Sequence, residues 1–108
     1  MDQLDKVNSL VFHDGVLLKI TFIFDECKLK LTYEIDSIVI SVSFMKVSNL
    51  SFGDLVFIDK LDDVEIYNAS FQQLSPGLLK ANFTFLLGFG KPSWDFDFTF
   101  RHYMIEEN

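Results

Sequence analysis

Hydrophobic and polar residues alternate along most of this chain with a period of two, the repeat of a β-strand. The clearest run lies near the C-terminus, where Trp94, Phe96, Phe98 and Phe100 interleave with Asp95, Asp97, Thr99 and Arg101. A strand sends successive side chains to opposite faces, so this run predicts one aromatic face and one acidic, polar face. Residues 28–35 alternate as cleanly, with Leu29, Leu31, Tyr33 and Ile35 inward and Lys28, Lys30, Thr32 and Glu34 outward. Residues 78–87 place Leu79, Ala81, Phe83 and Phe85 on one face. Residues 16–24 are apolar at every even position (Val16, Leu18, Ile20, Phe22, Phe24) and mixed at the odd ones.

Turn chemistry punctuates these runs. Asp14-Gly15, Asp25-Glu26-Cys27, Asp36-Ser37 and Ser75-Pro76-Gly77 are polar or glycine-containing breaks, and Gly88-Phe89-Gly90-Lys91-Pro92 is another. Residues 16–24 and 28–35, joined by a short turn, predict a hairpin. Further strands are expected at 38–47, 55–58, 64–71 and 94–105, with a helix through Leu61, Val64, Asn68 and Phe71 as the alternative for the third of these. Residues 48–54, which include Gly53, read as a loop, and residues 59–63 as an acidic connection. Leu4, Val7 and Leu10 are spaced for one face of a short N-terminal helix or a frayed lead-in. Turn signals recurring at about ten-residue intervals, without βαβ spacing, predict an antiparallel fold. The expectation is a single all-β domain over 1–108, a β-sandwich or partly open barrel of seven or eight strands, with at most one short helix.

Composition changes the picture in two ways. With 49% hydrophobic residues and 13 phenylalanines among 108 positions, the chain can bury a core without staples. Sixteen acidic residues oppose nine basic ones, for a net charge of −7, and Arg101 is the one arginine. That field repels a phosphate backbone or an anionic membrane surface and favours a cationic protein partner. The plainer account is that the charge keeps a phenylalanine-rich protein in solution. One cysteine, Cys27, suits a reducing cytosol. Met1-Asp2-Gln3-Leu4-Asp5 lacks the basic-then-apolar pattern of a signal peptide, so a cytoplasmic location is expected.

Candidate chemistry is sparse. His13 and His102 are the two imidazoles, and Asp14 follows His13; adjacent strand positions face opposite ways, so Asp14 is not expected to orient that ring. No metal-ligand spacing is present, and the acids at 59, 62, 63 and 65 lack the glycine and distant glutamate of a calcium loop. The loop at 88–93 lacks the G-K-[ST] ending of a phosphate loop, and the phenylalanines are flanked by Asp rather than by Lys and Arg. Neither enzyme activity nor a metal or other cofactor is expected. The acids are the remaining feature: Asp59, Asp62, Asp63 and Glu65 in one cluster, Asp95 and Asp97 on one strand face, and Glu106 and Glu107 at the end. Brought together, they would capture Lys and Arg of a partner, with Tyr67 and Trp94 as aromatic anchors. The alternative is dispersed acids and a Trp94 that belongs to the core.

Phe12-His13-Asp14-Gly15-Val16-Leu17, the Ile20–Phe24 strand and the Leu29-Lys30-Leu31-Thr32-Tyr33 alternator together resemble the opening of small all-β bacterial immunity proteins. These are the inhibitors encoded beside polymorphic toxins, including those of contact-dependent growth inhibition. The resemblance covers the first third of the chain by motif and implies a cytosolic protein that binds one cognate toxin domain and blocks its active site. It further implies a cationic nuclease, with a ribonuclease first, as the partner; it carries no site residues of its own. The rival expectations are a β-barrel holding an apolar ligand, an enzyme using His13 or His102, and a module that adds an edge strand to a partner.

Overall fold

The computed structural model describes residues 10–52, 64–86 and 93–107. Within them lie eight strands: β1 Val16–Ile23, β2 Lys28–Ile35, β3 Ile38–Met45, β4 Ser48–Phe52, β5 Glu65–Ser75, β6 Leu78–Leu86, β7 Ser93–Phe100 and β8 His102–Glu107. They form one antiparallel sheet in the order β4-β7-β6-β5-β1-β2-β3-β8. The all-β, antiparallel expectation holds.

The sheet is thin at its middle. β1 and β5 share one paired position, Val16 with Glu65. Three backbone bonds reinforce that seam: Asp14 N–H to Ile66 O, Leu17 N–H to Val64 O and Ile66 N–H to Gly15 O, at 2.8–2.9 Å. About this seam the sheet folds over, and its two four-stranded halves, β4-β7-β6-β5 and β1-β2-β3-β8, face each other as a sandwich. Phe44 of β3 sits 5.0 Å from Phe98 and 4.9 Å from Phe100 of β7, ring centre to ring centre. Phe12, ahead of β1, meets Phe83 of β6 edge-on at 5.3 Å.

On the other side, two strands turn the corner together. β3 runs into β4 through Lys46, whose φ is 61°, and Val47. β7 runs into β8 through Arg101, whose N–H donates to Met45 O at 3.0 Å. Met45 pairs with His102 before the corner and Ser48 with Thr99 after it, so one ladder rounds the bend. Thr99, buried, donates to the Ser48 carbonyl at 3.0 Å and pairs with its hydroxyl at 2.6 Å.

Alternation and turns account for most elements. Leu29, Leu31, Tyr33, Leu79, Ala81, Phe83, Phe85, Trp94, Phe96, Phe98 and Phe100 are all buried, as their spacing predicts. Asp36 and Ser37 both hold positive φ (52° and 66°), the two-residue hairpin turn whose twist matches the flanking strands. Gly77 (φ 77°) after Pro76 closes the β5–β6 hairpin.

Four expectations change. Residues 48–52 form strand β4 rather than a loop, because the corner carries the β3 ladder onto β7. The expected strand at 64–71 extends to Ser75, and the helical alternative is excluded. The last strand is two strands, broken at Arg101 where the chain leaves one half for the other. In β1 a bulge between Leu17 and Lys19 shifts the alternation, so Leu17 is buried and Leu18 exposed. The expected strand at 55–58, the acidic connection at 59–63, the glycine loop at 88–92 and the N-terminal helix lie outside the described residues.

Tyr33 shows what the core demands of a polar atom. Its ring is buried, and its hydroxyl donates to Val11 O at 2.9 Å, tying the lead-in to β2. Burial pushes this phenol from 10.0 up to about 12. The fold favours the neutral phenol, so the associated stability is complete below pH 10 and lost as the pH rises through about 12. Urea titrations should therefore show unfolding free energy falling across that window, and Tyr33→Phe should flatten the fall. Phe44→Ala, which removes the ring joining the halves, should cost about 3–5 kcal/mol in the same measurement.

Candidate partner-binding face

The outward side of the β4-β7-β6-β5 half carries the acids that the fold brings together. On β7 the outward residues are Ser93, Asp95, Asp97 and Thr99, because Trp94, Phe96, Phe98 and Phe100 fill the other face. Register places Asp97 beside Asn82 and Ser51, and Asp95 beside Thr84, which is itself beside Asn68. Thr84 Oγ1 donates to Asp95 Oδ1 at 2.8 Å. Glu65, exposed, pairs with Leu86, which pairs with Ser93, and so joins the same face at the end of β5. Short polar side chains flank the carboxylates, of which Asp95 is exposed and Asp97 half-buried, and Lys80 lies on the same face beside Thr99. Among the described residues the ion pairs are His13–Asp14 and Lys30–Glu106, and neither involves Glu65, Asp95 or Asp97.

The seam supplies the aromatic edge of this face. Tyr67 sits in the bulge between Ile66 and Asn68 and is 54% exposed. His13 Nδ1 donates to the Tyr67 carbonyl, and the two rings meet at 65° with centres 5.9 Å apart. His13 Nε2 lies 3.5 Å from Asp14 Oδ1. That proximity corrects the expectation from strand geometry: residues 13 and 14 form a turn, with Asp14 at φ 69°, so their side chains converge. His102 is far along the sheet on β8, with β2 and β3 between it and β1.

The other anticipated residues divide. Trp94 is 7% exposed and its ring lies 5.4 Å from that of Phe85, so it is a core residue and not a surface anchor. Glu106 is exposed but belongs to the opposite half, where Lys30 Nζ is 4.0 Å from its carboxylate. Glu107 is on β8 as well, opposite Ile40. Asp59, Asp62 and Asp63 lie outside the described residues. Leu86, half in the open beside Glu65, was not anticipated; its place at the outer end of the Leu79–Phe85 alternation was the available signal.

Charge is also partitioned between the two outer faces. Lys19, Lys28 and Lys30 share the outward side of the β1-β2-β3-β8 half, since Lys19 pairs with Thr32, Thr21 with Lys30 and Ile23 with Lys28. The outward side of the β4-β7-β6-β5 half thus carries Glu65, Asp95 and Asp97 with Lys80, and the opposite side carries Lys19, Lys28 and Lys30 with Glu34 and Glu106. Among the described residues no group of three or more His, Cys, Asp or Glu side chains is placed to hold a metal ion, and no helix is long and apolar enough to cross a membrane. Among known proteins, no family model and no curated protein matches this chain.

Asp95 and Asp97 project side by side from one strand with no ion pair among the described residues, and like charges so placed repel. Asp97→Asn should stabilise the protein by a few tenths of a kcal/mol at low salt, and the gain should shrink as ionic strength rises past about 0.5 M. Thermal melts across a salt series check both signs.

Proposed function

We propose that this protein is a cytoplasmic immunity protein that binds a cognate toxin domain, a cationic nuclease and most simply a ribonuclease, and blocks its active site. The observation that carries the reading is the outward side of β5, β6 and β7, where Glu65, Asp95 and Asp97 stand without cationic partners among the described residues. A nuclease holds its substrate through a groove of Lys and Arg, and carboxylates on a rigid sheet can occupy the positions of phosphates in that groove. Exposed Tyr67 and Leu86 at the end of the same face supply apolar contact. A standard interface of roughly 800 Å² per partner is within reach of one face of a domain this size. Inhibition is stoichiometric: charge steers the encounter, and the bound sheet excludes the nucleic acid.

The filled interior adds support over the apolar-ligand alternative. Phe83 contacts the rings of Phe12, Phe44, Phe71, Phe85, Phe96 and Phe98 at centre distances of 5.3–6.2 Å, so aromatic side chains occupy the space between the halves.

The test is capture of a basic ribonuclease domain from the lysate of the source cell, followed by co-expression with that domain. Wild type should preserve growth and intact RNA, and binding should weaken with salt. The double variant Asp95→Lys/Asp97→Lys should raise Kd by at least about 100-fold, reversing two charges at the centre of the contact. Full protection by that variant, or failure of wild type to bind and protect, would refute the proposal.

A further inference from the structure

The edge strand β8 has a feature that the acidic face does not use. It pairs with β3 on one side, from Met45–His102 to Ile40–Glu107, and is the last strand of the sheet. Among the described residues nothing pairs with its other side. Met104 and Ile105 lie on it 49% and 42% exposed. Natural edge strands are usually blunted by charges that repel a second strand. Here the charges are sorted along the strand instead. Arg101 and His102 come first, Tyr103, Met104 and Ile105 fill the middle, and Glu106 and Glu107 follow.

We propose that β8 is a homodimerisation edge, joining antiparallel to β8 of a second copy about a two-fold axis at Met104. In that register Met104 faces Met104 of the second copy, Tyr103 faces Ile105 and His102 faces Glu106. Every pair is then apolar with apolar or basic with acidic, and each pair off the axis occurs twice by symmetry. Sliding the register by two residues in either direction sets charged positions against Met104 or Tyr103, so the charge order selects one alignment.

The faces agree as well. Tyr103 and Ile105 pair with Phe44 and Val42, whose side chains are buried, so both lie on the core side of β8. His102, Met104 and Glu106 pair with Met45, Ser43 and Ser41 and lie on the outer side. Antiparallel partners share a face, so the joined strands continue both surfaces across the axis. Lys30 remains within reach of Glu106 and adds a second cation to that end of the contact. The acidic face on the other half of the sandwich stays open in the dimer.

A single strand pair buries less than the roughly 1,200 Å² of stable complexes, so association is concentration-dependent. Sedimentation of the full chain should move from monomer to twice that mass between about 1 µM and 1 mM, the range such a contact spans. His102→Glu alone sets Glu against Glu106 twice, and Glu106→Lys alone sets Lys against His102 twice; each should stay monomeric while keeping its strand circular dichroism. Mixed in equal amounts, the two variants should form a heterodimer, because both cross-axis pairs are then of opposite charge. Met104→Lys, which places like charges together on the axis, should also be monomeric. Wild type that remains monomeric at 1 mM, single variants that dimerise like wild type, or a mixture that stays monomeric would each overturn the proposal.

Discussion

The contact between Phe44 and the Phe98–Phe100 pair is the interaction on which the rest of this structure depends. The backbone joins the halves at the β1–β5 seam, with one paired position and three further bonds, and round the Lys46–Arg101 corner, but neither junction sets how the facing surfaces pack. Aromatic rings do that instead. They offer large apolar area with definite shapes, and edge-to-face contacts set both spacing and angle. Once the halves are fixed face to face, every outward residue of β5, β6 and β7 is committed to one surface, and every outward residue of β1, β2 and β3 to the other.

Charge follows from that commitment. The same alternation that buries Trp94, Phe96 and Phe98 exposes Asp95 and Asp97, and the alternation that buries Leu29 and Leu31 exposes Lys28 and Lys30. The core and the acidic face are thus two sides of one pattern. Lys19, Lys28 and Lys30 lie on the half opposite Asp95 and Asp97, but Glu34 and Glu106 share that side and Lys80 shares the acidic one, so the two faces differ in balance rather than in sign alone.

Much of the architecture was legible along the chain, for a physical reason: period-two burial is local, and β2, β6 and β7 obey it without interruption. The failures fall where tertiary geometry intervenes. Leu17 and Leu18 exchange roles because a bulge inserts one residue at the seam. The corner at Lys46 and Arg101 turns a presumed loop into β4 and one presumed strand into β7 and β8, and it sends His102 outward although it shares the parity of the buried phenylalanines. Of the anticipated binding residues, Glu65, Tyr67, Asp95 and Asp97 come together on or beside one surface. Trp94 does not, because the parity that exposes its aspartate neighbours buries its ring. Glu106 does not, because the chain has crossed to the other half by then. Pairing between β5, β6 and β7 is non-local, and no single strand carries it.

The outer surface of β5, β6 and β7 is the face proposed to bind a partner. A backbone NMR titration of the labelled protein with a ribonuclease domain captured from the source cell tests this most directly. The account predicts shifts concentrated on Glu65, Tyr67, Asn82, Thr84, Asp95 and Asp97, with the lysine-bearing strands β1 and β2 silent. Shifts centred on Lys19, Lys28 and Lys30, with Asp95 and Asp97 unmoved, would contradict it.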